Sequence, residues 1–173
     1  MTGSHTKHSP LMYLAAAVAA FAFLVAAAGS AAAHTQDGAF AQRRHIRKRA
    51  LGQTGAPYSY GGASPSGYDC SGFTRWTFLN HGASLPHSSI EQFRLAKKKG
   101  FQRIWKRKSL KPGDLIFHKT TSARVGHAGI YIGNGKFVSS TSSSGVRVRS
   151  LWDSYWGPRW VGGTRVPATR ANY

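Results

Sequence analysis

GYDCSGF (67–73) holds the one cysteine of the chain, set between an aspartate and a serine and followed shortly by a glycine. Downstream of it Phe73, Trp76 and Leu79 recur at three-residue spacing, which predicts a helix from Cys70 to about Asn80 that ends before Gly82. Cys70 then falls in the first turn of that helix. Unpaired backbone N–H groups and the positive end of the macrodipole lie there, and both favour a thiolate over a thiol. The same N–H groups are placed to stabilise the oxyanion formed when a carbonyl is attacked. A nucleophilic thiol needs a base, and His127, preceded by Gly126 at the start of an alternating strand, is the candidate.

Upstream, AQRRHIRKRALGQTG (41–55) predicts a helix that stops near Gly52 to Gly55, with Ile46, Ala50 and Leu51 as its apolar contacts and Arg and Lys covering the rest. APYSYGGASPSG (56–67) is dense in Gly, Pro and Ser and is expected to be loop. A second, shorter helix is expected between Ser88 and Lys98, with Ser88 or Ser89 as its cap. The second half reads differently. DLIFH (114–118), HAGIYIG (127–133), KFVSST (136–141), VRVRS (146–150) and RWVGGTRV (159–166) are short, rich in Val, Ile and aromatic residues, and separated by turn residues such as GNG (133–135). Helices first and an antiparallel sheet afterwards make an α+β domain.

Ahead of this domain the residues from Leu11 to Ala28 are almost all Ala, Val, Leu and Phe, preceded by a weakly basic stretch and followed by small residues. That pattern predicts a signal peptide over residues 1–33, cleaved after Ala33, rather than a retained anchor. Residues 34–41 then read as a short flexible lead and residues 42–173 as one domain, a monomer exported to the periplasm or the extracellular cell wall. An unpaired thiol in an oxidising compartment calls for an explanation.

The charge is extreme: 24 Lys and Arg face five Asp and Glu, a formal net charge of +19. Charge of that sign and size implies an anionic partner. For an exported protein the partners are envelope polymers or lipid headgroups, reached through RRHIRKR (43–49) and KKKGFQRIWKRKSLK (97–111). A specific nucleic-acid function is not expected, because only Phe101 and Trp105 interleave the basic runs and no nucleic-acid motif is present. His34, His45, His81, His87 and His118 read as surface or loop residues. None has the spacing that a zinc site needs, so no metal and no cofactor is expected.

PYSYGG, YDCSGF, LPHSS, LKPGDLIF and GHAGIYIGNGKFV, in this order and over about Arg47 to Val166, resemble the NlpC-type cell-wall cysteine peptidases. The resemblance implies a papain-like fold, with the cysteine at a helix N-terminus packed against a small antiparallel sheet that carries the histidine. It implies hydrolysis of peptidoglycan stem peptides at the bond between γ-D-glutamate and the diamino acid, diaminopimelate or lysine. Residue by residue, Cys70 matches the nucleophile and His127 the base. Tyr58 matches a tyrosine that faces the thiol, and Asp69 and Ser71 match positions lining the pocket for the amino side of the substrate. For Asp69 the alternative is a cap on the helix that follows. The sequence departs from the family at the third catalytic position, where a histidine twelve residues after the first commonly orients it and Ser139 stands here. Two other readings follow: a catalytically impaired wall-binding or regulatory relative, and a thiol amidase or acyltransferase using the same Cys-His pair.

Overall fold

A computed structural model describes residues 37–168, apart from Asn80 and Gly82. The expected signal peptide, residues 1–33, lies outside the described residues. No helix among those residues is long and apolar enough to cross a membrane.

Helix α1 occupies residues 37–51, so it includes part of the stretch read as a flexible lead. Its Ile46 and Ala50 are buried, as their spacing predicts, and Leu51 packs partly against them. The Gly-rich stretch that follows is not all loop: β1 (Ala63–Ser64) and β2 (Gly67–Tyr68) form a minimal hairpin. Two-residue strands in a Gly-Ser-Pro context carry no readable alternation. Next comes α2 (Cys70–Phe78), which ends two residues before the expected Asn80. Leu79 lies beyond the helix end and is exposed, whereas Phe73 with Thr77 and Thr74 with Phe78 are buried, each pair four residues apart on a shared face. Helix α3 (Ser89–Arg94) begins with Ser88 as its cap and continues into a 3₁₀ turn over Leu95–Lys97.

Strands β3 (Gln102–Ile104), β4 (Leu115–His118), β5 (His127–Gly133), β6 (Lys136–Thr141), β7 (Gly145–Ser150) and β8 (Trp160–Arg165) form one sheet in the order β3-β8-β4-β5-β6-β7. Every neighbouring pair is antiparallel. Strand β3 alone went unread, since it sits inside a basic run. The turn from β5 to β6 holds Asn134 and Gly135 at positive φ, the backbone that a two-residue hairpin requires. Alternation along the strands sorts the side chains onto two faces. Leu115, Phe117, Ala128, Ile130 and Val138 pack against Phe73 and Phe78 of α2 and Ile46 of α1. Ile116 and Phe137 point the other way, onto Leu151 and Trp156 from the segment after β7.

One buried carboxylate ties three parts of this arrangement together. Asp114 is fully buried and accepts from the backbone N–H of Lys111 at 2.7 Å, from Arg165 Nε at 2.9 Å and Nη2 at 2.8 Å, and from Arg43 Nη1 at 3.3 Å. It thereby links α1 and β8 to the turn that leads into β4. Asp114→Ala leaves two guanidinium groups without their counter-charge. We expect a loss of about 3 kcal/mol, at the low end for a broken buried pair because both arginines still reach solvent. A urea-denaturation midpoint that does not fall would contradict this.

Candidate active site

Cys70 is the first residue of α2, and Asp69 is its N-cap. Asp69 Oδ1 accepts from the Gly72 N–H at 2.6 Å and from Ser71 Oγ at 3.0 Å, while Oδ2 accepts from the Gly61 N–H at 3.1 Å. His87 Nε2 lies 3.0 Å from Oδ2 and 3.1 Å from Oδ1. The carboxylate therefore caps the helix and also joins two flanking loops to it. Loop and helix meet backbone to backbone. The Asp69 N–H donates to Gly62 O at 3.0 Å, and a Cβ on Gly72 would lie 2.0 Å from that same oxygen. Glycine is the one residue that fits. The two glycines of PYSYGG and the glycine of YDCSGF bracket this close approach.

The helix start does not ionise the thiol in the way its position suggests. Burial pushes the Cys70 pKa up, and the nearby Asp69 carboxylate adds to the rise. Backbone N–H groups of Ala128, Ser71 and Cys70 lie near the sulfur and pull the other way, without reversing the sign. The Ala128 contact has a second meaning: the sulfur lies against the start of β5, one residue from His127. Tyr58 belongs to the same place. Its hydroxyl is pushed above the ordinary tyrosine range by burial, then by the charges of Asp69 and Cys70.

His127 is buried on the face of the sheet that carries Phe137 and Trp156, and its ring lies 4.7 Å from that of Trp156. Burial first, and the charge of Arg149 second, lower its pKa to about 3. Ser139 is on the same face, since a Cβ on Gly129, two residues from His127, would lie 3.1 Å from Ser139 Cβ. Ser139 is fully buried; among the described residues its Oγ and His127 Nε2 are both without a hydrogen-bond partner.

His118, read from sequence as a surface or loop residue, is instead fully buried. It pairs directly across from His127 on β4, with ring centroids 6.4 Å apart. Burial, then His127 and Arg107, lower its pKa to about 3. Its position at the end of the apolar run LIFH is the signal that was available. Trp156 and Arg149 were also missed, although SLWDSYWG (150–157) is dense in aromatic residues.

Some of the basic side chains are half-buried and engaged by the fold. Arg49 stacks 3.8 Å above Trp76, Arg103 stacks 3.5 Å above Phe93 and donates to Phe93 O, and Arg107 donates to Gly157 O. Arg44, Lys48, Lys97, Lys98, Lys99, Lys106 and Lys108 are exposed. No cluster of three metal-ligating side chains occurs among the described residues.

A family model described as the NlpC/P60 family matches residues 55–165. A probable endopeptidase of Mycobacterium tuberculosis is 45% identical over 113 residues, which make up 65% of this chain and 27% of that protein. The bifunctional muramidase/DL-endopeptidase CwlT of Bacillus subtilis is 37% identical over 114 residues, 64% of this chain and 32% of CwlT. The chain thus spans roughly a quarter to a third of the length of these relatives. A crystal structure of an NlpC/P60 family protein from Bacillus cereus superposes with a TM-score of 0.63 at 28% identity, over 72% of this chain and 40% of that one. These matches share its papain-like α+β arrangement of helices and antiparallel sheet.

Two measurements follow from the buried groups. The rate of Cys70 alkylation by iodoacetamide is expected to keep rising with pH through and beyond about 8.5, the ordinary thiol value. A plateau below pH 7 would show a preformed thiolate. His118 and His127 have folded pKa values below the ordinary histidine value, so the unfolded chain binds protons first. Stability is therefore complete above about pH 6.5 and is lost as pH falls toward 3, by up to about 1.4 kcal/mol per pH unit for each ring. Denaturation curves of His118→Phe over that window should show a shallower acid slope than wild type.

Proposed function

The chain belongs to the NlpC/P60 family, and from that premise we propose that it is an exported cysteine endopeptidase acting on peptidoglycan stem peptides at the bond between γ-D-glutamate and the diamino acid. One observation carries the reading: the Cys70 sulfur lies at the N-terminus of α2 and against the Ala128 N–H, beside His127. The names of the relatives, an endopeptidase and a DL-endopeptidase, support the reaction class and the kind of bond. Export rests on the apolar N-terminal stretch, and docking to anionic envelope polymers rests on the exposed lysines and arginines.

In the proposed mechanism the resting pair is neutral, a thiol and an imidazole. As the sulfur attacks the γ-carbonyl carbon of D-glutamate, its proton passes to His127. The carbonyl oxygen takes up negative charge, which N–H groups at the helix start and the Tyr58 hydroxyl are placed to receive. The tetrahedral adduct expels the amine of the diamino acid, which takes the proton from His127. Water, deprotonated by His127, then cleaves the thioester and releases the γ-D-glutamyl acid. A neutral resting pair costs the enzyme ground-state nucleophilicity but keeps the base free to accept a proton. Asp69 and Ser71 form the floor on the amino side of the substrate. Because both Asp69 oxygens are already engaged, we assign Asp69 chiefly to holding that floor in place.

Incubation of the purified protein with peptidoglycan and soluble stem peptides tests the reaction, with mass spectrometry of the products. Cleavage after γ-D-glutamate by wild type and not by Cys70→Ala is the expected result. Binding to the wall without cleavage would favour the impaired relative, and a transferred acyl product would favour the acyltransferase. In this mechanism Ser139 takes the third position: its Oγ and His127 Nε2, both without a partner at rest, pair with each other when the ring takes up the proton. Ser139→Ala is expected to lower kcat about tenfold with little change in KM, and an unchanged kcat would remove Ser139 from the mechanism.

A further inference from the structure

A cleft of about 380 Å³ opens beside His127, bounded by residues 141–143 of the β6–β7 hairpin and by Arg149, Asp153, Tyr155 and Trp156. Trp156 is common to the cleft and to the site, since its ring packs on His127 at 4.7 Å. The two charged side chains of the cleft are both under-used. Arg149 donates from Nη2 to Ser144 Oγ, its Nε is buried without a partner, and among the described residues no carboxylate is paired with it. Asp153 Oδ1 accepts from the N–H groups of Tyr155 at 3.0 Å and Trp156 at 2.6 Å, which fixes the carboxylate and leaves Oδ2 without a hydrogen-bond partner among the described residues. One cleft thus presents a guanidinium without a counter-ion and a fixed carboxylate with an open oxygen. An amino-acid zwitterion is complementary to that pair, its carboxylate to the arginine fork and its ammonium to the aspartate.

We propose that Arg149 and Asp153 form a leaving-side subsite that receives the distal amino-acid centre of a diaminopimelate side chain, which makes the enzyme selective for diaminopimelate over lysine stems. This rests on the endopeptidase reading, and it goes further by naming which diamino acid is taken. A lysine side chain ends in an ammonium alone, and would leave Arg149 unpaired while bringing one more cation to a cationic cleft. Arg149 is also the charged group that acts on His127. A carboxylate seated on it would offset that charge and make the ring a better base once the correct substrate is bound.

The test uses full-length Cys70→Ala protein and isothermal titration with two tripeptides, L-alanyl-γ-D-glutamyl-diaminopimelate and its lysine counterpart. Both have the main-chain carboxyl of the third residue amidated, so that only the distal centre differs in carboxylate content. The diaminopimelate peptide is expected to bind at least about tenfold more tightly, and Arg149→Gln in the same background should abolish the preference. Equal affinities, no binding of either peptide, or a preference that survives Arg149→Gln would overturn the proposal. A preference seen only when the main-chain carboxyl is free would overturn it too, by assigning Arg149 to that end of the substrate. Because binding is read without turnover, a preference found alongside a wild-type enzyme that cleaves neither peptide would sink the endopeptidase reading while leaving the subsite standing.

Discussion

The Asp69 carboxylate is the contact on which the geometry of this site depends. A helix start leaves its first N–H groups without partners, and Asp69 satisfies that of Gly72 while drawing in Ser71, Gly61 and His87. Capping and positioning are the same act here. The residue that ends the chain's extended run and begins α2 is also the one that pins the loop before the helix and the loop after it. Cys70 follows directly and inherits the position. The two alternatives for Asp69, structural cap or substrate ligand, are thus weighted by simple valence: its lone pairs are already committed to the fold.

A second constraint comes from the sheet. Cys70 sits with the helices on one face, and His127 turns its ring to the other, into an aromatic pocket of Phe137, Trp156 and His118. The Cys70 sulfur meets the sheet at the Ala128 backbone, one residue from His127 and at the start of a strand. That arrangement buries His127 and half-buries Cys70. Burial makes the thiol reluctant to lose its proton and the imidazole reluctant to gain one, and it overrides the helix N-terminus, whose effect on a charge is modest.

The sequence was most readable where a local rule acts alone. Ser88 as a cap, the Asn134-Gly135 turn, the alternation of HAGIYIG and KFVSST, and the buried Ile46 and Ala50 follow from spacing and turn chemistry over a few residues. The placement of Cys70 at a helix start and of His127 at a strand start was legible for the same reason, through their immediate neighbours. What stayed hidden depends on distant contacts. Strand β3 is held by β8 some sixty residues away and lies within a run of charges. His118 becomes interior only because β4 is covered on both faces. Arg49, Arg103 and Arg107 look like solvated charge until the rings and carbonyls beneath them are known. The ionisation of Cys70 was misjudged on similar grounds, since helix position can be read locally and desolvation cannot.

That raised thiol pKa has a consequence for durability. Peroxides and disulfides attack thiolates, and a sulfur kept protonated presents little of the reactive form. With no second cysteine in the chain, an oxidised Cys70 would have no resolving partner to restore it. Under the proposed mechanism, holding the proton until a substrate carbonyl arrives would act as protection against oxidation, at the expense of speed at the start of each turnover.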